Sequence, residues 1–352
     1  MKENNTDNTI KEKNLAYGGQ ALIEGVLMRG KEGYAFTVKK PDDTFYKEKT
    51  NYVTLGKRIK FLGWPFIRGI VGFFESIVIG IKVLNKSASL AFPEENEKEM
   101  SNVSMFFIFL ISLLLALVVF TGFPYFLTSL FPVNYNDNPF SYNLIAGIIR
   151  MIMFFIYLFA ISFINDTKRL FGYHGAEHKT IHTYEAKKDL SVENVKSSSR
   201  LHPRCGTSFI FIVFLITIVI FPLFNIYFNT QIWYTSIKQY GMLGTVLQRL
   251  IHIASHIFIG MPIVASISYE LLKLSQKFEK NPLVKILISP GLFFQLFTTR
   301  EPDETMIKAA ILSLKMVLGN EKPDLKRNIN DNVNMKFNLS TTLLIFPILF
   351  FL

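Results

Sequence analysis

The sequence predicts an α-helical polytopic membrane protein of about four spans, with interfacial helices and a small N-terminal cytosolic β unit. Three observations predict it. Half of the 352 residues are hydrophobic and 35 are Phe, and the mean hydropathy of +0.29 is high for a chain that stays in water. Apolar runs near 105–130, 144–164, 209–228 and 243–267 each supply the roughly 20 residues that cross a hydrocarbon layer. The excess of Lys+Arg (38) over Asp+Glu (27), a net charge of +11, lies in blocks between those runs. That placement suits loops facing anionic lipid, and no nucleic-acid motif accompanies it.

Residues 1–16 are polar, lack the apolar core of a cleavable signal and read as a disordered tail. The β unit covers 17–60. In it, glycines bracket the short apolar run from Tyr17 to Gly30, which reads as a strand between turns, interrupted by Glu24 and Arg29. Those two are either a salt-bridged pair or part of a site. Two β-rich runs, 34–40 and 44–52, flank Pro41-Asp42-Asp43 and predict a hairpin. In 61–92 the charges Arg68, Glu75 and Lys82 recur at seven-residue spacing. They mark one stripe of a helix that lies in the membrane interface or packs on the spans. The run Pro93 to Glu99 is a solvated linker.

The four spans occupy 105–268, the second carrying Arg150 and the fourth Arg249, His252 and His256. The loops at 131–141 and 229–242 hold almost no Lys or Arg. The loop at 165–207 holds Lys168, Arg169, Lys179, Lys187, Lys188, Lys196, Arg200 and Arg204, and the two terminal regions are also basic. The basic regions therefore face the cytosol, with the N-terminus inside. Within 165–207, Ser191 is placed to cap a short helix. Beyond the spans, 269–338 is cytosolic or interfacial. It includes an apolar stretch at 290–297 that can lie on the membrane and a helix over 302–318 with Pro302 in its first turn. The apolar end, 339–352, is short for a span. The single cysteine, Cys205, excludes an intrachain disulfide and points to a reducing compartment.

The chemistry concentrates in 172–185. At about 100° per residue, His174, His178, His182 and Glu185 fall within roughly 80° of one another, with Glu177 about 60° to one side. Apolar residues are nearly absent from that face, so burial alone does not account for it. Imidazoles one turn apart can share a metal ion, and a carboxylate beside them can move a proton. His174-x-x-Glu177-His178 has the inverzincin order H-x-x-E-H. His174 and His178 are thus the first two ligands for a divalent metal, zinc by ligand type, and Glu177 is the general base. The further ligand stays open among His182, Glu270, His202 and Cys205. Thiolate with imidazole suits zinc, and both His202 and Cys205 joining would close the coordination and make the metal structural. Histidines paired with Glu185 or with lipid phosphate are the plainer alternative. His252 and His256 read as polar contacts within the bundle.

Several motifs together resemble the YqhQ-like family of bacterial membrane proteins, a domain of unknown function. They are Gly19-Gln20-Ala21-Leu22-Ile23-Glu24-Gly25-Val26-Leu27-Met28-Arg29-Gly30, Gly172-Tyr173-His174-Gly175-Ala176-Glu177-His178-Lys179-Thr180, His202-Pro203-Arg204-Cys205-Gly206-Thr207-Ser208-Phe209, Tyr269-Glu270 and Thr298-Thr299-Arg300-Glu301-Pro302. The resemblance runs from about 17 to 318. It implies a predicted metal-dependent enzyme in the bacterial cytoplasmic membrane, with its metal at the positions of His174, Glu177 and His178, and it names no substrate. The tail after Leu339, His252 and His256 lie outside the family pattern.

Two functions follow. One is a membrane hydrolase acting at the cytosolic surface on an amide, ester or phosphoryl bond, with Glu177 taking the proton. The other is a non-enzymatic adaptor for protein insertion, assembly or quality control. Glu24, Arg29, Arg204 and Glu185 are structural or substrate-binding; in the adaptor they belong to a polar network or surround a structural metal, and a basic face meets a membrane protein partner. A transporter is disfavoured by the few charges in the spans and by the lack of an inverted repeat.

Overall fold

The computed structural model describes residues 17–93, most of 107–134, and 137–328 apart from 204, 232–234 and 279–280. The expected tail at 1–16, the linker after Pro93 and the apolar end at 339–352 lie outside the described residues.

Strands β1 (Gly18–Leu22), β2 (Gly25–Gly30), β3 (Gly33–Lys39) and β4 (Phe45–Asn51) form an antiparallel meander. The third and fourth make the hairpin that the Pro-Asp turn predicts. Asp42 shapes its turn by accepting hydrogen bonds from the N–H and hydroxyl of Thr44, which hold its carboxyl down to about 2. Gly33, at φ +147°, closes the β2–β3 turn in a conformation that suits glycine. Beyond a short helix at Leu55–Arg58, the described residues form α1 (Ile67–Ala91), α2 (Phe123–Thr128), α3 (Pro139–Ile161), α4 (Asn165–Glu185), α5 (Val192–Lys196), α6 (Gly206–Thr230), α7 (Gly241–Ser255), α8 (Met261–Lys277), α9 (Pro282–Thr298) and α10 (Glu304–Leu318). A fifth strand, β5 (Leu325–Asn328), then pairs in parallel with β4. The sequence did not predict it.

Alternation along β2 gives the sheet two apolar faces. Leu27 looks one way, with Leu22, Phe36 and Val38, onto Ile79, Val83 and Leu84 of α1. Val26 and Met28 look the other way, onto Tyr173, Ala176 and Ile181 of α4 and Ala309, Ala310 and Leu314 of α10. The sheet is therefore filled between helices on both sides. Ser313 crosses one seam, its hydroxyl lying 2.8 Å from the Thr37 hydroxyl and 2.9 Å from the Val26 carbonyl. Helix α10 starts at Glu304, two residues later than expected, so Pro302 precedes the cap and is not in the first turn; the Asp303 carboxylate caps the helix by accepting from the Met306 N–H. Ser191 caps α5 through the Asn194 N–H.

Helix α1 starts at Ile67, six residues later than the apolar pattern suggested. Its charges serve specific contacts instead of a free interfacial stripe. Arg68 grips Glu270 of α8 with two hydrogen bonds, 2.8 and 2.6 Å long, and Glu75 accepts from the Tyr52 hydroxyl and the Leu55 N–H.

Three helices among the described residues are long and apolar enough to cross a membrane: Leu110–Thr128, Phe140–Ile161 and Phe258–Ser275. The expected third span lies in α6, whose apolar stretch, Phe209–Phe224, is shorter. The fourth moves toward the C-terminus, because α7 passes through a wide turn at His256–Gly260 into α8. Phe154, Leu158, Ile210, Phe214 and Phe294 pack the bundle interior. Ile111, Leu115, Val118, Ile156 and Phe258 stand exposed on its outside, as side chains facing lipid do. Arg150 bonds the Phe120 carbonyl and lies over the Tyr125 ring. His256 lies edge-on to Phe221 and Phe224. The His252 side chain is outside the described residues.

Candidate metal centre

Helix α4 carries the face predicted from its spacing. Small residues bring it close to its neighbours: Gly175 lies against the Arg300 carbonyl and Gly172 against the Met306 sulfur, so a Cβ at either would collide. That approach puts both imidazoles within reach of backbone carbonyls. His174 donates Nδ1–H to the Thr298 carbonyl at 2.8 Å, and His178 donates Nδ1–H to the Arg200 carbonyl at 2.5 Å. These bonds occupy each Nδ1 and turn each Nε2 toward the cluster. The two rings are 4.4 Å apart, and Cys205 Sγ stands 3.2 Å from His174 Nε2. The ligand atoms of His174, His178 and Cys205 all lie within 4.8 Å of one another. Among the four candidates for the further ligand, Cys205 is the one brought to this cluster.

Glu177 is buried beside the cluster, its Oε2 3.6 Å from His178 Nε2 and 4.0 Å from His174 Nε2. Burial pushes the Cys205 thiol up, but His178 and His174 outweigh it and hold the thiol well below its ordinary value. Burial pushes His178 down, but Cys205, Glu177 and the Arg200 carbonyl overcome this and raise it to about 9. Thiolate and carboxylate thus draw positive charge into a buried space. A divalent cation would supply that charge, as would an imidazolium proton.

The set fits a metal on an independent ground. His178 Nε2 is buried and has no hydrogen-bond partner, which is expensive for a polar nitrogen whether or not it carries a proton. Two imidazoles tied to carbonyls through their other nitrogen, plus one thiolate, form a zinc-type donor set with room for a fourth ligand.

The remaining predicted residues divide. His182 Nε2 meets the Leu201 carbonyl at 2.7 Å, and its ring lies 4.7 Å from that of His202. His202 pairs with Glu185 at 3.2 Å, so both stay beside the centre as a second polar layer. This is the carboxylate pairing set out as the plainer alternative. Glu270 is held by Arg68 and by the Phe66 N–H and does not join the cluster. Glu24 and Arg29 do not pair with each other. Glu24, at φ +52° in the β1–β2 turn, binds Arg169 and the Tyr173 hydroxyl of α4. Arg29 bonds the hydroxyl and carbonyl of Ser76. Arg204 lies outside the described residues. Sequence reasoning missed the carbonyl acceptors of Thr298 and Arg200, whose role is carried by backbone and has no residue signature.

The donor set and the span-forming helices define a membrane-type protein with a candidate His2Cys metal centre. The chain belongs to the family described as "Protein of unknown function (DUF1385)", whose model matches residues 64–320. It is 32% identical over 317 residues to "Uncharacterized protein YqhQ" of Bacillus subtilis (strain 168), covering 86% of this chain and 92% of that protein. No solved structure matches the chain. The family resemblance expected from the motifs is thus shown, and neither description names an activity.

Proposed function

We propose that the protein is a metal-dependent hydrolase of the bacterial cytoplasmic membrane, acting at the cytosolic face. The observation that carries this reading is the orphaned His178 Nε2, aimed with His174 Nε2 and Cys205 Sγ at one point. A bound divalent cation, zinc by the donor set, would supply Lewis acidity and a lowered water pKa there. The rest falls to the chain. The Thr298 and Arg200 carbonyls hold the imidazoles in one orientation. Glu177, beside the donors and outside the set they form, is placed to take a proton from water and return it to the leaving group. The low exposure of all four residues keeps bulk water out and strengthens each charge interaction. The bond broken is an amide, ester or phosphoryl bond.

Topology supports a cytosolic site. Strands β1–β4 and β5 share one sheet, and α4 and α10 pack on it. The chain must therefore return to the side it left both before α4 and between α4 and α10, which favours an even number of crossings in each stretch. Leu110–Thr128 and Phe140–Ile161 make the first pair. Phe258–Ser275 needs a partner, and α6, with 25 residues, is about 37 Å long at ~1.5 Å per residue. This reading has four crossings, and the basic character of the 165–207 segment supports a sheet and centre on the cytosolic side.

The test is metal analysis of the detergent-purified full chain. The expected result is about one zinc per chain, as in a single three-ligand site, lost in His178→Ala and kept in Glu177→Gln. A wild-type protein that takes up no metal ends the reading. A second reading, a non-enzymatic membrane adaptor with a structural metal and a membrane protein partner, is favoured by the burial of His178 and Cys205. Under it, Glu177→Gln keeps both the metal and the protein's biological activity. Under the hydrolase reading, the metal stays and the activity goes.

A further inference from the structure

Strand β1 lies at one end of the sheet, with β2 its only strand neighbour among the described residues. The Leu27 carbonyl points at β1, 2.6 Å from where a Cβ on Gly19 would stand. Leu27 therefore bonds its register partner Gln20, and antiparallel alternation turns the N–H and C=O of Gly19 and Ala21 away from β2, toward the open edge. Gly18 and Gly19 are exposed, and a Cβ on Gly18 would meet nothing within 4 Å. Sheets commonly protect such an edge with charge, proline or a bulge. The β1 sequence GGQAL has neither charge nor proline.

This edge, exposed among the described residues at Gly18 and Gly19 and half-buried at Ala21, runs beside the centre. A Cβ on Gly19 would fall 2.6 Å from Glu177 Cγ and 2.9 Å from its Oε1, while Oε2 of the same carboxylate faces the two Nε2 atoms at 3.6 and 4.0 Å. One side chain thus spans the gap between the strand and the imidazoles. The glycine lets backbone come this close, and any larger residue would displace the carboxylate.

We propose that the β1 edge receives an extended polypeptide by strand addition, which makes a peptide backbone the substrate class of this centre. Main-chain hydrogen bonds from Gly19 and Ala21 hold the added strand largely independently of its side chains. Its scissile carbonyl then lies over Glu177. The water oxygen bonds to that carbonyl carbon, the C–N bond breaks, and Glu177 passes the water proton to the departing nitrogen. The cleavage step rests on the hydrolase reading; the docking does not.

The experiment uses full-length Glu177→Gln protein in detergent, zinc-loaded and zinc-free, with a fluorescein-labelled pool of short unstructured peptides read by anisotropy. The tightest binder is then resynthesised with single N-methyl groups walked along its backbone. The expected result is an affinity loss of about tenfold at alternate amides, the scale of one lost hydrogen bond, and little change at those between. Absence of peptide binding, or losses without a two-residue period, overturns strand addition. Zinc bound to the wild type alongside hydrolysis of a chromogenic ester, with no peptide bound, sinks the peptide proposal and leaves the hydrolase standing. Period-two binding to protein that holds no zinc sinks the hydrolase and leaves the docking standing.

Discussion

Cys205 gives the centre its most readable atom. A thiolate ligand colours cobalt(II) by charge transfer, whereas an alkoxide or water in its place does not. Cobalt-loaded wild-type protein is expected to show that near-ultraviolet band, and Cys205→Ser to lose it while keeping weaker metal binding through His174 and His178. A band that survives Cys205→Ser would remove the thiol from the ligand set. The helical face of His174, Glu177 and His178 was legible because one turn of α-helix fixes those directions before any tertiary contact forms. The thiol was one of four options, because Cys205 reaches His174 only after the chain at 186–203 folds back, and spacing carries no information about such a return. Glu270 misled for a physical reason. A carboxylate at a membrane boundary needs a partner, and Arg68, 202 residues away, supplies it as well as a metal would.

Among the elements, α4 matters most, since its glycines set how near it comes to the segment after α9. Gly175→Ala adds a methyl that collides with the Arg300 carbonyl, which is backbone and cannot swing aside. The helix-propensity gain of about 1 kcal/mol is outweighed by overpacking of about 1–3 kcal/mol and a shifted 298–300 segment. Thermal unfolding of the purified protein is expected to show a lower Tm. Metal affinity is expected to fall as well, because the Thr298 carbonyl that orients His174 moves with the segment. An unchanged Tm with full metal binding would show that the close approach is not needed. Helix α10 was readable to within two residues from Pro302 and the apolar residues that follow, while its cap, Asp303, was not singled out. Strand β5 was not, because Leu325-Lys326-Arg327-Asn328 has no alternation. It is held by its register on β4 and by Asp324, whose N–H donates to the Lys47 carbonyl and whose carboxylate accepts from the Lys47 N–H.

For the whole molecule, the sheet constrains the membrane topology more tightly than hydropathy does. Hydropathy yields three clear spans, and an odd number would put β4 and β5 on opposite sides of the bilayer, which their hydrogen-bonded ladder forbids. Helix α6 is the crossing proposed above to restore an even count: it packs among α3, α8 and α9 at the middle of the bundle, where the interior of a membrane protein is satisfied by neighbours instead of lipid. Single-cysteine labelling in right-side-out vesicles tests this, with Cys205 buried in the native fold. Asp137→Cys and Lys238→Cys, in the loops between the paired crossings, are expected to react with a membrane-impermeant maleimide from outside. Lys187→Cys and Lys322→Cys are expected to react only after permeabilisation. Reaction of Lys187→Cys and Lys322→Cys from opposite sides would break the sheet argument outright. Reaction of Lys238→Cys only after permeabilisation would mean that α6 does not cross, and a span elsewhere would then have to restore the even count.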